Sequence, residues 1–74
     1  MQSLNHDFIK TRRQSLDISL QEMAEKLGFK NASTYLKYEN GSYAFKADQL
    51  PVLSKVLKCK ISDFFKQKIA KTAI

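Results

Sequence analysis

The side chains best equipped to act on a ligand lie close together, between Lys30 and Lys46. They are ammonium, hydroxyl and carboxamide groups: Lys30, Asn31, Ser33, Thr34, Lys37, Asn40, Ser42, Tyr43 and Lys46. Such groups donate hydrogen bonds and carry positive charge, which suits a polyanion. They do not suit bond-breaking chemistry in the absence of a base. His6 is the only histidine, close to the chain start, and Cys59 is the only cysteine. No base–nucleophile pair can be drawn around His6. The chain has no glycine-rich phosphate loop and no metal-ligand spacing. A lone cysteine in an apolar run reads as a small core residue and forms no internal disulfide. The chain therefore reads as a binding protein rather than an enzyme, with no cofactor, metal or small-molecule ligand expected.

Groups of this kind need a rigid carrier. The segment from Ser19 to Gly41, SLQEMAEKLGFKNASTYLKYENG, reads as a capped helix, a Gly-containing turn and a second helix. Ser19 is the N-cap, Glu22 completes a capping box, and Ile18 and Met23 take the staple positions. Leu20, Met23, Ala24 and Leu27 recur at i, i+3, i+4 and i+7, and Gly28 ends the helix. The next helix takes Asn31 as its cap and runs to Glu39 or Asn40, with Gly41 as a left-handed stop. At 100° per residue, Ser33 and Lys37 point about 160–200° away from Tyr35. Tyr35, Tyr38 and Glu39 make one side of this helix, and the other is small or cationic. Two helices joined this tightly cross steeply and leave one face of the second uncovered. That is the layout of a helix-turn-helix, whose second helix enters the major groove of DNA.

The remaining sequence is helical too. Gly occurs twice and Pro once, so the connections are short. A first helix spans about Asn5 to Leu16, with Phe8, Ile9, Arg12, Arg13 and Leu16 on or near one stripe and Asp7 at its positive end. A fourth runs from Gln49 to Leu57, capped by Asp48, with Pro51 harmless in its first turn. A fifth carries Ile61, Phe64, Phe65 and Ile69, with Asp63 near its start. The expected fold is all-α, a compact five-helix domain over residues 1–69 with a short fraying tail at 70–74.

Three pieces in register, LQEMAEKLGF, YLKYENG and LPVLSKVLKCKISDFF, resemble the XRE group of Cro- and repressor-like helix-turn-helix proteins, with the lambda-repressor-like DNA-binding fold. The resemblance covers about Ile9 to Phe65. It implies that Ala32, Ser33, Thr34, Leu36 and Lys37 read base edges. Lys37 can donate to guanine O6 and N7, Ser33 and Thr34 can bond a base or a phosphate, and Leu36 can touch a thymine methyl. It implies backbone contacts at Asn40. Lys30 and Lys46 flank the helix as phosphate ligands, with Asn31 at its start and the hydroxyls of Ser42 and Tyr43 in the loop beyond. Arg13 and Glu39 occupy positions that form a partly buried ion pair in repressors of this type.

Two departures from the family pattern bear on the register. Where the family usually places a backbone-binding Gln after the cap of the second helix, this chain has Leu20, with Gln21 one place later. The turn GFKNAS is also one residue longer than the commoner spacing, which leaves the first turn of the reading helix open by one residue.

Composition agrees with a DNA ligand. Thirteen Lys and Arg against seven Asp and Glu leave a net charge of +6, which favours nucleic acid or an acidic membrane surface. At 74 residues and 43% hydrophobic, the chain supports one small core and leaves no room for a separate sensor or catalytic domain. No apolar run approaches a membrane span and no signal-peptide core is present, so the expected location is the cytoplasm. The combined expectation is a bacterial or phage transcriptional regulator acting by operator occupancy on double-stranded DNA. Its operator would be an inverted repeat, bound by a homodimer through the C-terminal helix, with Phe65, Ile69 and, in the tail, Ile74 as the apolar patch. The alternative is a protein-interaction module, an antitoxin or adaptor on the same fold. Such a module should expose apolar residues on the third helix, and only Leu36 fits.

Overall fold

A computed structural model describes residues 4–65. Four α-helices make the frame: α1, His6–Ser15; α2, Leu20–Leu27; α3, Ala32–Glu39; and α4, Leu50–Val56. Two 3-10 turns, Ala47–Gln49 and Ile61–Phe65, complete it, and no strand occurs among the described residues. The helix starts are local events. Asn5 accepts from the Phe8 N–H at 3.0 Å. Ser19 and Glu22 close a reciprocal box, at 3.0 Å to the Glu22 N–H and 2.9 Å to the Ser19 N–H. Each such contact satisfies a donor that the first helical turn leaves orphaned.

Three helices end alike. At α2 the Phe29 N–H reaches back to the Ala24 carbonyl across left-handed Gly28, φ 82°. The same reach closes α1 across Asp17, φ 57°, and α4 across Lys58, φ 54°. Glycine is favoured in this conformation because it has no Cβ to crowd the carbonyl. Asp17 and Lys58 adopt it because the residues that follow are held. Ile18 is fastened by its N–H to Arg13 and packs against the core, as does Cys59, fastened to Ser54.

The core is Ile9, Met23, Ala24, Tyr35, Leu53, Leu57 and Phe64, all fully buried. Every element except the first 3-10 turn contributes to it, at about 1.5–3 kcal/mol for each large side chain. The tightest packing is between α2 and α3; α1 lies against α3 and the closing turn, and α4 against α2. The start of α1 is tied to that turn by the Asn5 N–H and the Phe64 carbonyl, 2.6 Å apart. Arg12 holds the other end, donating to the carbonyls of Leu57 and Lys58 at 2.8 Å each and so capping the C-terminus of α4.

Two expectations are corrected. The fold is all-α, but the described residues hold four α-helices rather than five. The closing segment Ile61–Phe65 is a 3-10 turn, because Asp63 bonds back to Lys60 through both its N–H and its carboxylate, at 3.0 Å each, and tightens the backbone. Ile69 and the tail at 70–74 lie outside the described residues. Asp48 does not cap the fourth helix either. Gln49 accepts from the Lys46 N–H at 2.7 Å, and Asp48 falls inside the turn this closes; α4 follows with Pro51 in its first turn.

The charged residues inside the fold are Arg13 and Glu39. Arg13 donates from Nε at 2.7 Å and from Nη2 at 3.2 Å to the two Glu39 oxygens, and from Nη1 to the Ile18 carbonyl at 3.0 Å. The Tyr35 hydroxyl donates to Glu39 Oε2 at 2.8 Å. Burial first, then this bond and the Glu39 charge, hold the Tyr35 phenol above its ordinary value, against a smaller pull from Arg13. Removing either ionic partner strands a buried charge, which costs about 3–5 kcal/mol. Glu39→Ala should therefore lower the melting temperature far more than Glu25→Ala, whose carboxylate is exposed. Equal small shifts would count against the pairing. Tyr35 adds a pH signature. Its folded value is raised, so its contribution is complete below the unfolded value near pH 10 and is lost above it, by about 1.4 kcal/mol per pH unit. Urea midpoints should fall more steeply from pH 10 to 11 in the wild type than in Tyr35→Phe, which starts lower; parallel curves would contradict the assignment.

Candidate nucleic-acid interface

The network just described sets the rotation of α3. Tyr35 and Glu39, four residues apart, both point into the fold, so the far side of the helix faces out. Ser33, Leu36, Lys37 and Asn40 are exposed there, with Leu36 at 40%. Ala32 and Thr34, on the flanks, are half-buried. Both α1 and α2 carry an acidic side chain in the first turn, Asp7 and Glu22, whereas α3 has none. Its positive dipole end is left without an internal counter-charge, which favours an approaching anion.

Asn31 organises that end. Its Oδ1 accepts from the Thr34 N–H, the Thr34 hydroxyl and the Ser33 hydroxyl, each at 2.9 Å. Three candidate DNA ligands thus form one cap. In the free protein the two hydroxyls already donate to Asn31. They can accept from a base or phosphate donor at once, but to donate they must first break a bond worth about 0.5–1.5 kcal/mol.

At the other end, Lys37 and Tyr43 come together. The Lys37 ammonium lies 5.7 Å from the Tyr43 ring centroid, within cation–π range, and the Tyr43 N–H donates to the Lys37 carbonyl at 3.1 Å. Tyr43 packs edge-on to Tyr38, which stacks on Phe29 at 4.6 Å and touches Phe45. Tyr35 joins the same cluster through Phe29 and Phe45. Asn40 accepts from the Ser42 N–H at 3.0 Å, bending the chain sharply after the helix. His6, whose place near the chain start suggested no role, lies with its ring 3.5–3.7 Å from where a Gly41 Cβ would sit. That is ordinary contact distance, so Gly41 is called for by its positive φ of 94° and not by crowding from α1.

The remaining candidates are dispersed. Lys30, in the turn, and Lys46, after the loop, are exposed and flank α3 in the chain. Gln21 is exposed on α2, but its amide donates to Glu25 at 3.3 Å along its own helix, and Leu20 packs against the core. Sequence reasoning did not single out Phe29 or Phe45, and it placed Arg12 on the stripe of the first helix without its partners. For the two phenylalanines a signal exists, since five of the eight aromatic residues fall between Phe29 and Phe45. For Arg12 there is none, because its partners lie 45 and 46 residues away.

A helix locked by its inner face, joined to its predecessor by a short Gly turn and showing a polar, cationic outer face, defines a helix-turn-helix domain. The chain belongs to the helix-turn-helix family, whose model matches residues 9–64, and within it to the XRE type. The family is one of DNA-binding transcription regulators. No curated protein and no solved structure matches the chain. Among the described residues, no helix is long and apolar enough to cross a membrane.

Removing the shared acceptor should be costly. Asn31→Ala should lower unfolding free energy by about 1 kcal/mol, as for other lost caps, while Ser33→Ala should cost under about 0.5 kcal/mol. Urea titration of the three proteins checks this, and equal effects would show that Asn31 does not hold the helix start.

Proposed function

We propose that the protein is a sequence-specific reader of double-stranded DNA, a small Cro- or repressor-like transcription regulator that acts by occupying its operator. The observation that carries this reading is the outer face of α3. Ser33, Leu36 and Lys37 are presented together while Tyr35 and Glu39 keep the helix from turning. In this assignment Lys37 reads guanine, Leu36 meets a thymine methyl, and Ser33 supplies a hydroxyl, with Ala32 and Thr34 at the margin. Lys30, Asn31, Asn40, Tyr43, Lys46 and Gln21 hold the phosphate backbone. Such contacts fix position without reading sequence. The domain is assigned to residues 1–69. Two copies would bind an inverted repeat, with half-sites about one helical turn, roughly 34 Å, apart. Regulation of this kind places the protein in the cytoplasm and needs no catalysis.

Selection of bound duplexes from a random pool, at two salt concentrations, tests the reading. A palindromic motif should be enriched, with affinity falling steeply as salt rises. Binding that enriches nothing and ignores salt would refute it. On the selected site, Lys37→Ala should cost about 1–3 kcal/mol and relax preference at one or two positions. Lys46→Ala should weaken all sequences alike and reduce the salt slope by about one.

A further inference from the structure

Away from α3, the structure has an open basin of about 830 Å³ where α1, the end of α4 and the closing turn meet. None of the residues that line it belongs to α3 or to the loop after it. We propose that this basin docks an acidic peptide segment of another protein, one that carries a large apolar side chain among its carboxylates. The inference goes beyond DNA reading and does not rest on it.

Charge is the first argument. Arg12, Lys55, Lys58 and Lys60 line the basin against one carboxylate, Asp63, which is engaged with the Lys60 N–H at 3.0 Å. The three lysines are exposed. The C-terminal carbonyls of α4 point the negative end of a dipole toward this region and would oppose an acidic partner. Arg12 offsets that opposition by donating to the carbonyls of Leu57 and Lys58, just past the helix end. The basin is thus predominantly positive, four cationic side chains against the one carboxylate of Asp63.

The floor is the second argument. Phe8 and Cys59 are half-buried at its base, and both pack on the core. Burial pushes the Cys59 thiol up, so the floor carries no thiolate charge. A cationic rim around an apolar concavity matches a peptide whose acidic residues flank one aromatic or aliphatic anchor. A DNA duplex matches it poorly, because regular rows of phosphates offer nothing to fill the floor. A partner seated here would leave the outer face of α3 open, so a regulator could be contacted while on DNA.

The test uses the full chain and a fluorescein-labelled peptide of Glu and Ser residues around a single Phe, read by anisotropy. The double variant Lys55→Glu, Lys60→Glu should bind it about tenfold more weakly, since exposed ion pairs are individually weak and two are lost together. A peptide with Ser in place of Phe should also bind more weakly. Titration of ¹⁵N-labelled protein should move the amide resonances of Lys55 to Asp63 and leave Ser33 to Lys37 in place. Unchanged affinity in the double variant, equal binding of the Phe-free peptide, or shifts confined to α3 would each overturn the proposal. So would a duplex of random sequence that displaces the peptide and moves Lys55 to Asp63, which would make the basin a nucleic-acid surface. Circular dichroism of the variant separates loss of the site from loss of the fold.

Discussion

The structure depends on one buried carboxylate. Glu39 is 2% exposed, and an ionised carboxylate taken that far from water costs several kcal/mol unless its lone pairs are met. They are met by two guanidinium donors from Arg13 and the hydroxyl of Tyr35. These donors come from two helices, and Arg13 reaches a third position at the Ile18 carbonyl, just before α2. One ion thereby joins α1, the approach to α2, and α3. Replacing such a pair with apolar residues is often neutral for stability, so its value here lies in geometry. With Tyr35 and Glu39 directed inward, α3 cannot turn about its axis without breaking the network. The outward set Ser33, Leu36, Lys37 and Asn40 follows from that restriction.

Around this centre, the small fold uses short devices in place of a large core. The three helix ends closed through a left-handed residue turn the chain within a few positions, two of them without glycine. Arg12 substitutes for backbone partners that the end of α4 lacks. The aromatic cluster from Phe29 to Phe45 fills the underside of α3 and carries the loop that follows it. Tyr43 is its outermost ring and also sits beneath Lys37, so core packing and the candidate reading residue are mechanically connected.

The family's usual Gln at the start of the second helix has no direct counterpart in this arrangement. Leu20 packs inward and Gln21 bonds to Glu25, while α3 carries its own cap at Asn31. At the start of α3, the side-chain oxygen of Asn31 accepts from the hydroxyls of both Ser33 and Thr34. Those hydroxyls are less available as donors than their position alone implies, whereas Leu36 is exposed and the Lys37 ammonium is engaged by the Tyr43 ring.

Much of the scaffold was legible in the sequence, because the interactions that define it act over three or four residues. Ser19 with Glu22, the apolar spacing from Leu20 to Leu27, Asn31 as a cap and Gly28 as a stop are all local geometry. Residue type and spacing suffice to specify them. What tertiary structure alone decided acts across distance. The partners of Arg12 lie just past the end of another helix, Asp17 and Lys58 became left-handed because the residues after them are held, and the last described segment tightened into a 3-10 turn instead of an α-helix. Separation along the chain cannot reveal such contacts, since they exist only after the helices have packed. The side of α3 that faces outward stands between these cases. Its periodicity is written in the sequence, and its rotation is fixed by a carboxylate and a guanidinium brought together from 26 residues apart.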